Sequence, residues 1–426
     1  MKKIHYGWVI LVITFFSIIV AGIIRSSSGV FLVPFEEEFG WDRAFISLSF
    51  AISIVIYGFS GPFIASLLDN IGVRKMMLGA MSVLMAGIAL TFFMSYSWQL
   101  ILIWGITFGV GSSVFLTVLS TYVANHWFEK RRGLVLGILT ASTATGQLIF
   151  LPVLAKIIEK SSWRWAMGLI LLLSVIMIPL IFLFMKNNPR EIGLHRYGQT
   201  GAVPEEKASE KRNPIKMAFS TLREAIRVKQ FWLLAGSFFI CGLSTTGLIG
   251  THFIPLCISF GISQVTAAGL IAFMGIFDLI GTTLSGWLSD RYDNRWLLFW
   301  YYGLRGLSLL LLPFALGESS SFFLIVFAIF YGLDWIATVP PTIGLATQLF
   351  GQEKSGIVYG WVLAAHQAGA GVAAFGGGLI YTMIGSYEWA FLFAGIFCFA
   401  GSMFVLGIKK KHADVIAEQP AAQTVT

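Results

Sequence analysis

Four charged residues interrupt otherwise apolar stretches: Arg25, Asp278, Arg305 and Asp334. At the centre of a membrane helix each costs about 3 kcal/mol unless it is paired or hydrated, so such residues are expected to pair, to hold a charged solute or to carry protons. Arg25 is followed by Ser26, Ser27 and Ser28, and a guanidinium beside hydroxyls grips a carboxylate in two-pronged fashion. A side chain that snorkels to the outer headgroups is the alternative reading of Arg25. Asp278 lies 12 residues before Asp290, and Arg305 lies 10 after Arg295. At ~1.5 Å per residue both reach mid-bilayer on neighbouring helices, with Asp334 at a similar depth. The spacing predicts an Asp278–Arg305–Asp334 cluster in which one carboxylate takes a proton when the pairing changes. A permanent ion-pair staple between helices is the other reading.

Histidines supply groups that titrate near neutrality. His366, beside Gln367, is expected near the midplane and His252 near the outer end of its helix, each with satisfied packing as the alternative role. Tyr331, one turn from Asp334, together with Ser27, Gln147, Thr245, Thr246 and Thr282, completes the expected polar lining of a substrate and proton pathway.

The elements that must position these residues follow from composition. The chain has 426 residues, 57% hydrophobic and 12% charged, against ~25% charged in soluble domains. Dividing the apolar residues by the ~20 that span a bilayer gives about twelve helices. Continuous apolar runs fall at about 8–33, 44–68, 75–95, 98–125, 132–158, 163–186, 231–257, 263–289, 295–316, 320–346, 355–383 and 387–408. They show no period of two, which excludes barrel strands. The fold class expected is an all-α membrane protein of twelve transmembrane helices in two six-helix halves. The first run is too long for a signal-peptide core and reads as an uncleaved span. Cys241, Cys257 and Cys398 sit in apolar runs, so no disulfide framework is expected.

The net charge of +8 is a matter of topology. With the N-terminus inside, 23 of 29 Lys and Arg fall in inward connections and four outside (Arg43, Lys156, Lys160, Arg164). Positive-inside statistics then place both termini in the cytoplasm and exclude a nucleic-acid footprint. The organisation expected is a bundle over 1–186, a polar cytoplasmic linker over 187–230, a second bundle over 231–411 and a tail over 412–426. In the linker, Met217, Phe219, Leu222 and Ile226 recur near helical spacing, as for a short helix on the cytoplasmic surface or, alternatively, a solvated connection. Pro340–Pro341, and Gly369, Gly371 and Gly376–Gly378, predict irregular helices at a cavity or hinge.

Asp69 and Arg74 between the second and third runs echo Asp290 and Arg295 between the eighth and ninth, each pair 221 residues apart (290 less 69, 295 less 74). The loop Asp69, Gly72, Arg74, Lys75 resembles the D-x-x-G-x-R-K signature of the major facilitator superfamily, with Ala65 where that signature usually has Gly. A carboxylate and cations at helix ends form breakable pairs that latch one state. Trp127, Phe128, Lys130, Arg131, Arg132, Leu134, Gly137 and Gly146 are similar to the monocarboxylate-transporter pattern, and HYGWVI and WDRAFIS resemble the bacterial oxalate and formate exchangers of that group. The resemblance implies a substrate site between the halves and a basic residue in the first helix, matched by Arg25. That group places an Asp and an Arg four residues apart on the eighth helix. Here Asp278 is kept and Thr282 stands at the Arg position, so either Arg305 supplies the cation or the substrate is not a simple monocarboxylate.

The function expected is secondary transport of a small organic solute, a monocarboxylate-type anion, across the plasma membrane by alternating access with proton coupling, as a monomer without cofactor or metal. Proton-driven efflux of amphipathic compounds and a non-transporting sensor are the alternatives. No G-x-x-x-x-G-K-[ST], H-E-x-x-H or G-x-S-x-G occurs, so neither ATP-driven transport nor an enzyme is expected.

Overall fold

The computed structural model describes residues 5–115, 117–199, 214–317 and 321–409. The expected tail 412–426, Lys2, Lys3 and linker residues 200–213 lie outside the described residues, as does the side chain of Ala65. Among the described residues the long elements are all helical, and the one extended pairing is a bridge between Phe128 and Tyr197. Backbone polar groups in lipid must be satisfied within the chain, which is why the apolar runs become helices.

Twelve spans follow in order. Span 1 is Gly7–Ser26 carried on by Ser28–Phe39, span 2 is Arg43–Phe59 with Gly61–Ile71, and span 3 is Val73–Thr91. Spans 4, 5 and 6 are Ser97–Trp127, Arg132–Lys160 and Trp163–Phe184. After the linker come span 7 (Lys229–Ser259), span 8 (Gln264–Ser289), span 9 (Asn294–Gly317), span 10 (Phe322–Phe350), span 11 (Gln352–Ile384) and span 12 (Glu388–Leu406). Eleven are long and apolar enough to cross a bilayer, and Arg43–Phe59 is the shorter twelfth.

Span 1 outruns its expected end at residue 33 and reaches Phe39. Pro34 lies inside it and has no N–H for the carbonyl of Val30. Gln264 Nε2 of span 8 donates to that carbonyl at 2.7 Å, so a side chain from the other half repairs the helix.

The halves meet closely at one end. Gly378 of span 11 sits where a Cβ would strike Ser47 and the Arg43 carbonyl, Gly371 lies against Val55, and Gly58 of span 2 against Gln367. Two turns before Gln367 on the same face, Gly360 has open space. At that level Phe219 of the linker helix Pro214–Ala225 stands between Phe63 of span 2 and Trp361 of span 11, with ring centroids 6.4 and 5.6 Å apart. The halves therefore close at the Arg43 end and part at the linker end.

One expectation is corrected here. Span 11 is one unbroken helix; its glycines admit neighbouring backbone and side chains, Gly369 the Phe239 carbonyl and Gly377 the His252 ring, instead of forming a hinge. The expected linker helix forms over Pro214–Ala225; Ala218, Thr221 and Ala225 are buried against the bundle, while Met217, Phe219 and Ile226 are exposed on its outer side. Small residues let it lie flat on span 11, where Trp361 Nε1 donates to the Ala218 carbonyl.

Candidate substrate site

Five spans are irregular within their length. Span 1 is interrupted at Ser27 and span 2 at Ser60, span 4 contains a π segment (Ile101–Thr107) and turn residues Val114 and Phe115, span 7 contains a π segment (Leu243–Ile249), and span 10 unwinds between Asp334 and Val339. The 221-residue offset of the loop motifs carries Ser27 to Leu248, inside the π segment, and Val114 to Trp335, inside the break. Discontinuous helices related by a repeat are where carriers build their sites.

The break in span 10 organises most of the buried charge. Pro340 and Pro341 have no N–H for the carbonyls of Ile336 and Ala337; Val339 N donates to the first at 2.9 Å. Ser285 Oγ of span 8 donates to the Ala337 carbonyl at 2.5 Å. Arg305, fully buried on span 9, donates from Nε to Asp334 Oδ2 at 2.6 Å and from Nη2 to the carbonyls of Asp334 and Trp335. Its Nη1 donates to Cys241 Sγ of span 7 at 2.9 Å, and that sulfur lies 3.3 Å from Thr338 Oγ1.

Asp278 does not join Arg305 as an ion pair. Its Oδ1 accepts from Ile336 N at 2.9 Å and from Thr282 Oγ1 at 3.1 Å. Asp334 and Asp278 thus approach the break from different helices, and Arg305 faces only the first. The expected triple cluster is an Arg305–Asp334 pair plus a separate carboxylate that caps the unwound segment.

Arg25 has a different setting. It is half-buried, its guanidinium lies 4.9 Å from the centre of the Tyr57 ring, and no carboxylate is within ion-pair distance among the described residues. Because span 1 continues for 14 residues beyond it, about 21 Å of helix separates Arg25 from the far end. Arg25 thus lies well inside the length of span 1 rather than at its end.

Around this level, Gln147, Thr246 and His366 are half-buried, and His366 packs 4.8 Å from the Phe238 ring. Gln367 is buried against Gly58, with Oε1 unpartnered among the described residues. Other candidates are inward packing groups. Ser27 donates to the Ile24 carbonyl, Thr245 to the Cys241 carbonyl and Tyr331 to the Ser244 carbonyl. His252 is fully buried with Nε2 2.7 Å from the Ala374 carbonyl.

At the linker face the loop motifs are unlatched. Arg74 donates to the Phe182 carbonyl, its N–H donates to Asn187 Oδ1, and Asp69 makes no ion pair among the described residues. Gly72 takes φ of 88°, with Asn187 where a Cβ would go. Lys75 and Asp290 are exposed. Arg295 pairs with Asp293 at 2.8 Å, not with Asp290, and donates to the Ile408 carbonyl. Lys130 N donates to the Tyr197 carbonyl, Arg131 has φ of 63°, and Arg132 Nε reaches the Phe128 carbonyl at 3.5 Å. Tyr197 also packs on Trp8 and His5, so HYGW, WFEKRR and the start of the linker form one aromatic plate.

Sequence reasoning missed Tyr57, Cys241, Tyr381 and Tyr387. All lie in apolar or aromatic runs whose composition marks them as ordinary lining.

Twelve helices in two halves, irregular within their length and parted at one face, define a multi-pass membrane carrier fold. The chain belongs to the Major Facilitator Superfamily, whose description matches residues 14–362 and again 253–425. It is 26% identical over 385 residues to the uncharacterized MFS-type transporter YcxA of Bacillus subtilis, covering 89% of this chain and 90% of that one. It is 26% identical over 408 residues to monocarboxylate transporter 13 of Rattus norvegicus (93% and 87% covered). Against the oxalate:formate antiporter of Oxalobacter formigenes it is 25% identical over 410 residues (94% and 91% covered). The fold is similar to a bacterial homologue of the human lysosomal transporter Spinster, crystallised inward-facing and unoccupied, with a TM-score of 0.69, 14% identity, and 97% and 100% of the chains covered.

Proposed function

We propose that this chain is a proton-coupled secondary carrier for a small monocarboxylate-type anion, working by alternating access in the plasma membrane as a monomer, with both termini in the cytoplasm. The bundles 1–186 and 231–411 are the moving bodies and the linker 187–230 joins them on the cytoplasmic side. The observation that carries this reading is Arg25: a guanidinium at mid-span, backed by Tyr57, with no carboxylate of its own among the described residues. An uncompensated charge there is costly, and an anionic substrate compensates it through paired N–H···O bonds. Arg305 is already committed to Asp334 and two carbonyls, so Arg25 and not Arg305 is assigned the substrate. Gln147, Thr246, His366 and Gln367 provide the polar surroundings. Asp278, a buried carboxylate without a cation partner among the described residues, is assigned the coupled proton. The names of two relatives, a monocarboxylate transporter and an oxalate:formate antiporter, support the substrate class.

The test is uptake into liposomes holding the purified protein, with radiolabelled formate, oxalate and longer monocarboxylates under an imposed pH gradient and with the gradient collapsed. Gradient-driven accumulation that is lost in Arg25→Gln is the expected result. Expulsion of a lipophilic cation with no carboxylate uptake overturns it in favour of drug efflux.

A further inference from the structure

We propose that Arg43 is the gate residue that holds the two halves together at the face opposite the linker, and that its release from Tyr381 and Tyr387 is the step that opens that face. Arg43 begins span 2 and its side chain is only 8% exposed. Within its own half it donates from Nε to Glu36 Oε2 of span 1 at 2.6 Å. Across the interface, Nη1 donates to the Tyr387 hydroxyl at 3.2 Å, and the guanidinium lies over the Tyr381 ring, 3.7 Å from its centre. Tyr387 is fully buried between the rings of Tyr381 and His252, at 4.6 and 5.1 Å. His252 is tied in turn to the Ala374 carbonyl. One cation therefore gathers the ends of spans 1, 2, 11 and 12, with span 7 behind them.

The division of labour among its contacts is what makes it a gate. Its one ion pair lies inside the first half, so the charge stays compensated whether the face is closed or open. Everything it gains on closing is a cation–π contact and a hydrogen bond to a phenol, interactions that shift a population without locking it. Nearby contacts across the interface are of the same reversible kind: Ala44 N donates to Thr382 Oγ1 at 3.1 Å, and Gly378 leaves room for Ser47 where a Cβ would strike it. The inference needs the carrier reading of the fold but not the carboxylate substrate.

Labelling of single cysteines by a charged maleimide, with full-length protein in lipid nanodiscs, tests it. The first reporter is Ser47→Cys, buried at the Arg43 face, and the second is Gly360→Cys, in the open space at the linker face. The three native cysteines are buried. In Arg43→Ala, Ser47→Cys should label about tenfold faster while Gly360→Cys labels more slowly, the signature of a shift between two states. Tyr387→Phe, which removes one hydroxyl and keeps the packing, should move both rates the same way by a few-fold. Unchanged rates in both variants overturn the assignment. A rise at both reporters marks general loosening and also overturns it. No substrate is present, so failure of the carboxylate reading leaves this result intact.

Discussion

Arg305 and Asp334 hold each other at 2.6 Å, and the same guanidinium takes the main-chain carbonyl of Asp334 as well. The pair is therefore both an ion pair and a splint for an unwound helix. Asp334→Ala leaves a buried cation alone and should lower stability by about 3–5 kcal/mol. Replacing both partners with leucine removes the charges but leaves the carbonyls of Asp334 and Trp335 without donors, at about 1–3 kcal/mol each. Thermal unfolding in detergent should rank wild type above both variants. A double variant as stable as wild type would remove the splint.

Arg25 has no acid partner among the described residues, so its substitution should spare the fold and injure binding. Arg25→Gln is expected to raise the apparent KM for a carboxylate by about ten- to a hundredfold, the loss of a charged two-pronged contact. Melting temperature should hardly move. A lowered melting temperature with unchanged KM would make Arg25 a packing group.

Asp278→Asn keeps the oxygen that accepts from Ile336 N and Thr282 Oγ1 but removes the ionisable group. Counterflow of unlabelled against labelled substrate, which needs no net proton movement, should survive. Accumulation driven by a pH gradient should fail. If both survive, the proton travels elsewhere.

Gly72 has φ of 88° and the Asn187 side chain 2.7 Å from where a Cβ would stand. Gly72→Ala should cost about 1 kcal/mol or more from backbone strain alone, read as a lower melting temperature. Adding Asn187→Ala should relieve the clash but not the strain, so only partial recovery is expected.

Spans and their order were legible because lipid forbids unpaired backbone, and about 20 apolar residues in a row have few other fates. The 221-residue offset was legible for the same reason, since duplicated halves keep duplicated loops. Depth along a helix could be counted from the sequence, and it put Asp278, Arg305 and Asp334 at one level. Counting gives height and not direction, so it did not reveal that Arg305 turns to Asp334 and that Asp278 turns to Ile336 N. Arg43 was counted as an exterior loop charge because its tyrosine partners lie more than 330 residues away. Met217, Phe219, Leu222 and Ile226 marked the linker helix, but its seat on span 11 through the small Ala218 and Ala225 left no signal in the apolar spacing.

The unwound turn of span 10 is held by side chains from spans 7, 8 and 9 at once, through Cys241, Asp278, Ser285 and Arg305. A proline pair would ordinarily make a soft joint, yet here the turn is gripped by side chains of three neighbouring spans. The turn is thereby welded to three neighbours, so a shift of any one of those spans would be carried to the other two.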